Sequence, residues 1–120
     1  MILGFKKQFV EPILAGTKIH TIREDKHRRW KVGNKIQFAT GVRTKKYKQF
    51  SEKVCTGIQR IEMKWTNEID MICKIDEIDI IGIEFSKLSR NDGFPFVYEF
   101  LNWFSKDFTG VIIHWTDFRY

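Results

Sequence analysis

Apolar positions alternate with polar ones along much of this chain, and the phase of that alternation predicts most of its elements. Ile2 to Lys6 predicts a first strand. Phe9, Val10, Ile13 and Leu14 then recur at helical spacing, and Pro12 suits a first turn, where its missing N–H costs little. Gly16 fits the position just past a helix end. Lys18 to Arg23 is rich in β-branched residues and predicts a strand, followed by a polar loop from Glu24 to Asn34. Ile36, Phe38, Thr40 and Val42 alternate with Lys35, Gln37, Ala39 and Gly41, as in a half-buried strand. Arg43 to Phe50 reads as a second basic loop.

The second half continues in short strands. Val54, Thr56 and Ile58 share one phase, while Ile61, Met63 and Trp65 share the other, so a β-bulge or sharp bend is predicted near Gln59-Arg60. Ile69, Met71, Cys73 and Ile75 alternate, as do Ile78 and Ile80, and then Ile81, Ile83 and Phe85. Val97, Phe100, Leu101, Phe104 and Phe108 follow helical spacing behind Pro95, which predicts the main helix over 95–107, stopped by Gly110. Val111, Ile113 and Trp115 predict a last strand. Many short strands with little β/α alternation point to an α+β fold: a small, mixed, mostly antiparallel β-barrel carrying two to three helices.

Composition narrows this to one domain over residues 1–120. There is no repeat, low-complexity tract or Pro/Gly/Ser linker, and 42% hydrophobic residues with 11 Phe and 4 Trp can fill one core. Cys55 and Cys73 form no CxxC and read as two buried reduced thiols rather than a disulfide framework or zinc cage. No apolar run reaches the ~20 residues of a membrane span, and Met1 to Lys7 lacks the long apolar region of a signal peptide. A cytoplasmic protein without membrane contact is the expectation.

The net charge of +6 conceals an asymmetry. Residues 1–60 balance at +11 and residues 61–120 at −5. A chain basic in one half suits a phosphate-bearing partner such as RNA or a nucleotide, although charged, solvated loops also serve solubility. Lys26, Arg28, Arg29 and Trp30 in one loop, and Arg43, Lys45, Lys46, Tyr47 and Lys48 in the other, interleave bases with aromatics. That mixture suits phosphate contact together with stacking on nucleobases, and equally suits solvated loops whose aromatics fold back on the core.

The chemically richest segment is Gly16-Thr17-Lys18-Ile19-His20-Thr21-Ile22-Arg23. A lysine of lowered pKa can take the proton of a threonine hydroxyl, and an arginine can hold a developing oxyanion or a phosphate. On a regular strand Thr21 and Arg23 share a face, whereas Lys18 faces away. Lys18 reaches Thr21 only from the turn after Gly16 or across a bulge. Otherwise the segment is a solvated strand.

Gly16-x-Lys18-x-x-Thr21-x-Arg23 resembles the signature of ASCH domains, small barrels similar to PUA RNA-binding domains, whose pattern is Gly-x-Lys-x-x-Glu-x-Arg. The threonine in place of glutamate is similar to the bacterial acetylcytidine amidohydrolases of that family. The Ile13-Leu14-Ala15-Gly16 run and the Asp92-Gly93-Phe94 segment with its aromatic-rich helix and Val111-Ile112-Ile113 strand resemble the family too. The resemblance implies a catalytic set of Lys18, Thr21 and Asp92, with an aspartate where those enzymes carry glutamate. Asp92 ahead of Gly-Phe-Pro also reads as a turn or helix-cap residue.

His20, His27 and His114 have no metal-ligand spacing and read as structural or solvated. No cofactor motif, Gly-rich phosphate loop, zinc-deaminase signature or GxSxG is present. Two functions remain open: an amidohydrolase removing an acyl group from the exocyclic nitrogen of cytidine or a related nucleoside, and a non-catalytic RNA-binding module using the same basic cleft.

Overall fold

The computed structural model describes residues 1–120. Eight strands, β1 (Ile2–Gly4), β2 (His20–Arg23), β3 (Lys35–Thr40), β4 (Lys48–Val54), β5 (Gly57–Trp65), β6 (Met71–Ile75), β7 (Ile78–Asp79) and β8 (Phe108–His114), combine with three helices, α1 (Val10–Ala15), α2 (Ile83–Asn91) and α3 (Val97–Trp103). The fold is α+β. One sheet has the order β1-β3-β4, with β1 parallel to β3 and β3 antiparallel to β4. The other has the order β2-β8-β5-β6-β7 and is antiparallel throughout. No ladder joins the two sheets into a closed barrel. No helix is long and apolar enough to cross a membrane.

The core lies between the sheets and under α2 and α3. Phe38 of β3 stacks on Phe5 at 5.5 Å and meets Trp115, just beyond β8, at 4.8 Å, so one aromatic ties both sheets together. β8 is an interior strand, and Ile112 to His114 at its end, with Trp115 just beyond, are buried in an unbroken run, because both faces are covered there. Cys55 and Cys73 are free and buried.

Four expectations are corrected. The phase change in the sixth decade of the sequence is not a bulge. β5 pairs with β6 and β8 without a register shift, and Gln59, Ile61 and Met63 all face inward. A buried glutamine simply interrupts the apolar pattern. The bulge lies at Phe38/Ala39, between β3 and β4. Residues 48–50, expected in a loop, open strand β4, whose side chains are mostly exposed and so carry little alternation. Ile81, Ile83 and Phe85 do not form a strand. Gly82 breaks the run at φ 58°, and α2 follows, with Ile81 and Ile83 exposed. The main helix expected over 95–107 is only α3, and Gly110 stops no helix. It sits inside β8, where a Cβ would run into the Arg23 carbonyl oxygen and the Phe108 ring.

Candidate functional site

Three pieces of local structure build the site. α1 ends at Gly16, and the Thr17 and Lys18 amides both bond back to the Pro12 carbonyl. That turn delays the start of β2 until His20. Lys18 therefore lies on the connection and escapes strand parity, which lets it face the same cleft as Thr21 and Arg23. β2 then pairs Thr21 with Ile113 and Arg23 with Val111.

Asp92 arrives from α2. It lies four residues after Leu88, so the helical face that buries Leu88 also turns Asp92 inward. The helix closes in a Schellman arrangement: the Gly93 amide bonds to the Arg90 carbonyl and the Phe94 amide to the Ser89 carbonyl. Gly93 takes φ 95°, which favours glycine, and packs against the Lys18 stem and the Phe9 ring. Asp92 is thus a helix-cap residue at a C-terminus, and its backbone and carboxylate both remain available to the lysine.

Lys18 Nζ donates to the Asp92 carbonyl at 2.6 Å and to Asp92 Oδ1 at 3.3 Å, across 74 positions of sequence. Both residues are almost fully buried, at 2% and 3% exposure. The ammonium also lies over Phe9, 4.9 Å from the ring centre. Burial, opposed by the pull of Asp92 and aided by the Arg23 charge, brings the Lys18 pKa down to about 8. Arg23 spends two N–H groups on the Ile22 and Gly4 carbonyls and stacks over Phe5. Its burial depresses its own pKa from an ordinary value so high that the charge persists. Thr21 is 2% exposed and makes no side-chain hydrogen bond within the protein, so its hydroxyl is uncommitted at the cleft wall.

The cleft holds about 330 Å³, the lower end of the roughly 300–1,000 Å³ typical of small-molecule sites. Lys18, Thr21, Arg23 and Asp92 share it with Phe5, Phe9, Phe94 and Trp103, so polar groups of both signs converge on an aromatic wall. Lys6, absent from the sequence-derived set, adds a further cation to its lining.

The basic residues of the two loops do not line the cleft itself. Lys26, Arg28, Trp30 and Lys31 line a groove of about 760 Å³ with Arg60 and Asp76, and Lys26, Arg29 and Trp30 line another of about 300 Å³. Arg23 borders both the smaller groove and the cleft. Arg43, Lys45, Lys46, Tyr47 and Lys48 are exposed and line none of these, although neighbouring Val42 touches the cleft.

His20 and Tyr120 are the residues that sequence reasoning missed. His20 Nδ1 lies 3.2 Å from Asp92 Oδ1, and His20 Nε2 lies 2.6 Å from the Tyr120 hydroxyl. The available signal was His20 inside the octapeptide. Tyr120, 100 positions away, offered none. No group of three His, Cys, Asp or Glu residues could hold a metal ion. No protein-family model, curated protein or solved structure gives a significant match to the chain.

Proposed function

We propose that the protein is an ASCH-type, PUA-like domain acting as an amidohydrolase on the acylated exocyclic amine of cytidine or a related nucleoside. One observation carries the reading: a buried lysine braced by Asp92 opens onto one aromatic-walled cleft with an uncommitted threonine hydroxyl and an arginine, and its burial favours the neutral amine. Neutral Lys18 takes the Thr21 proton as Oγ1 attacks the acyl carbon, and Arg23 faces the oxyanion that forms. The C–N bond then breaks, and the nucleoside amine leaves with the proton from Lys18. Water, deprotonated by Lys18, hydrolyses the threonyl ester, and the proton returns to Thr21. No hydrogen bond joins Lys18 to Thr21 in the unliganded protein, so transfer needs the closer approach imposed by substrate or one bridging water. The test is incubation with N4-acetylcytidine. Cytidine and acetate should appear, and Thr21→Val, which keeps the branched shape, should lower turnover by roughly 10³-fold or more. Undiminished hydrolysis by that variant ends the nucleophile assignment.

A non-catalytic RNA-binding role is the second reading. It is favoured by the run of bases from Arg23 through Lys26 and Arg29 to Arg28, Lys31 and Arg60, in which Glu24 lies 3.8 Å from Lys26 and Glu62 3.8 Å from Arg60, while two further acids accept from backbone and amide N–H groups. Asp25 accepts from the Arg29 and Trp30 amides, and Asp76 from Gln59 and the Arg60 amide. RNA affinity that falls steeply with salt, without release of cytidine, would select it.

A further inference from the structure

Behind the cleft, Asp92 is the first member of a buried chain of polar groups whose proton positions can be deduced. An ionised carboxylate only accepts, so His20 Nδ1 carries the hydrogen that meets Asp92 Oδ1. His20 Nε2 is then bare and accepts from the Tyr120 hydroxyl. Having spent its proton, that hydroxyl accepts from Asn91 Nδ2 at 3.1 Å. Asn91, Tyr120 and His20 thus donate in one direction, toward Asp92, and Lys18 donates to Asp92 from the other side. His20 is 0% exposed, and its burial favours the neutral imidazole that this arrangement requires.

Tyr120 is itself clamped. Gln59 Oε1 accepts from the Tyr120 amide, and Gln59 Nε2 donates to the Tyr120 carbonyl and to Asp76. Because its oxygen faces that way, Gln59 accepts from His114 Nε2, leaving His114 Nδ1 buried without a partner. Burial and the nearby His20 and Arg119 lower the His114 pKa to about 3, so this second histidine stays neutral too. We infer that His20 and Tyr120 are positioning residues for Lys18: the Tyr120 hydroxyl fixes the His20 tautomer, and His20 Nδ1–H pins the Asp92 carboxylate against the lysine amine. The inference deepens the proposed hydrolase and rests on it for its role in turnover.

The groups facing Lys18 are Asp92, Arg23, His20 and, across the cleft, Lys6. Those near Tyr120 are His20, His114, Asp92, Glu84 and Cys73. The experiment is a 13C titration of the Lys18 side chain in lysine-labelled protein, assigned with Lys18→Met, alongside the pH dependence of kcat/KM on N4-acetylcytidine. In His20→Leu the carboxylate is released, the lysine loses an opposite charge, and its midpoint should fall by about one pH unit. The acid limb of kcat/KM should move with it, and kcat should drop about 10- to 100-fold through misplacement. Tyr120→Phe should shift both in the same direction by less. His20→Asn puts an amide N–H near the position of Nδ1 and should restore the midpoint. An unmoved midpoint in folded His20→Leu and Tyr120→Phe overturns the inference, even with activity reduced. A shifted midpoint in a protein without turnover upholds the positioning and rejects the hydrolase instead.

Discussion

Lys18 and Lys26 are eight residues apart and occupy opposite physical states. Lys18 is 2% exposed, hydrogen-bonded twice to one residue, and held by its burial at a pKa of about 8. The Lys26 side chain is 79% exposed, with a 3.8 Å contact to an also exposed Glu24. Such a surface pair is worth little and weakens with salt. The same residue type therefore serves as a candidate base in one region and as a screened point charge in the other. What separates them is enclosure by aromatics and by a helix end contributed from the acidic half of the chain.

The largest effect that can break this contrast is at Asp92. Asp92→Asn removes the charge but keeps a polar group of the same shape. It should lower kcat on N4-acetylcytidine by roughly 10²-fold, within the range for losing an aid to proton transfer. Asp92→Glu should keep or raise activity if the longer arm still reaches Lys18. A silent Asp92→Asn would reduce Asp92 to a cap and leave the lysine without an orienting carboxylate.

Stability should respond next. Lys18→Met and Asp92→Asn each strand one buried partner and should cost about 3–5 kcal/mol in urea unfolding. The double variant should recover most of that loss, because neither a lone lysine ammonium nor a lone carboxylate is left buried. The pH dependence follows from the depressed lysine pKa. Between about pH 8 and 10.5 the unfolded chain holds a proton that folded Lys18 has released, so its contribution to stability rises with pH there, by about 1.4 kcal/mol per pH unit at most. Burial raises the pKa of Cys73, to about 12, and of Tyr120, and both oppose this above about pH 9 and 10 respectively, as the unfolded groups ionise first. Wild type minus double variant isolates Lys18, and a flat difference from pH 8 to 10 would contradict its depressed pKa.

The smallest effects belong to the loops. Arg28→Ala and Lys31→Ala should leave folding and nucleoside hydrolysis unchanged. If the grooves contact RNA, each should weaken binding about uniformly across sequences and reduce the salt slope by about 1. Equal losses of nucleoside turnover from these variants would mean that the two regions are one site.

How much of this was legible depended on distance along the chain. The turn at Gly16, the first half of the site and the central strands follow from local chemistry that a few neighbouring residues express. β4 hid because most of its residues 48–54 are exposed and only Phe50 and Ser51 are half-buried, and α2 hid because Ile81 and Ile83 mimic a strand while lying exposed. Gln59 counterfeited a bulge because its amide is buried to hold His114 and Tyr120, a need that arises only in three dimensions. The site split along the same line. Thr21 and Arg23 follow from parity, whereas the partnership of Lys18 with Asp92, and the reach of Tyr120 to His20, depend on packing between segments 74 and 100 positions apart.

Gly93 carries no functional group, yet a selection for activity over a library of random variants would score it as if it did. Its backbone sits at φ 95°, and an added Cβ would come within 3.0 Å of both the Lys18 stem and the Phe9 ring. Every replacement therefore presses on the lysine in the same step that it strains the turn, and survivors at this position should be scarcer than at Asp92, where a homologue of the side chain is available. Tolerance at Gly93 is thus set by the neighbours its backbone must clear and not by any chemistry of its own.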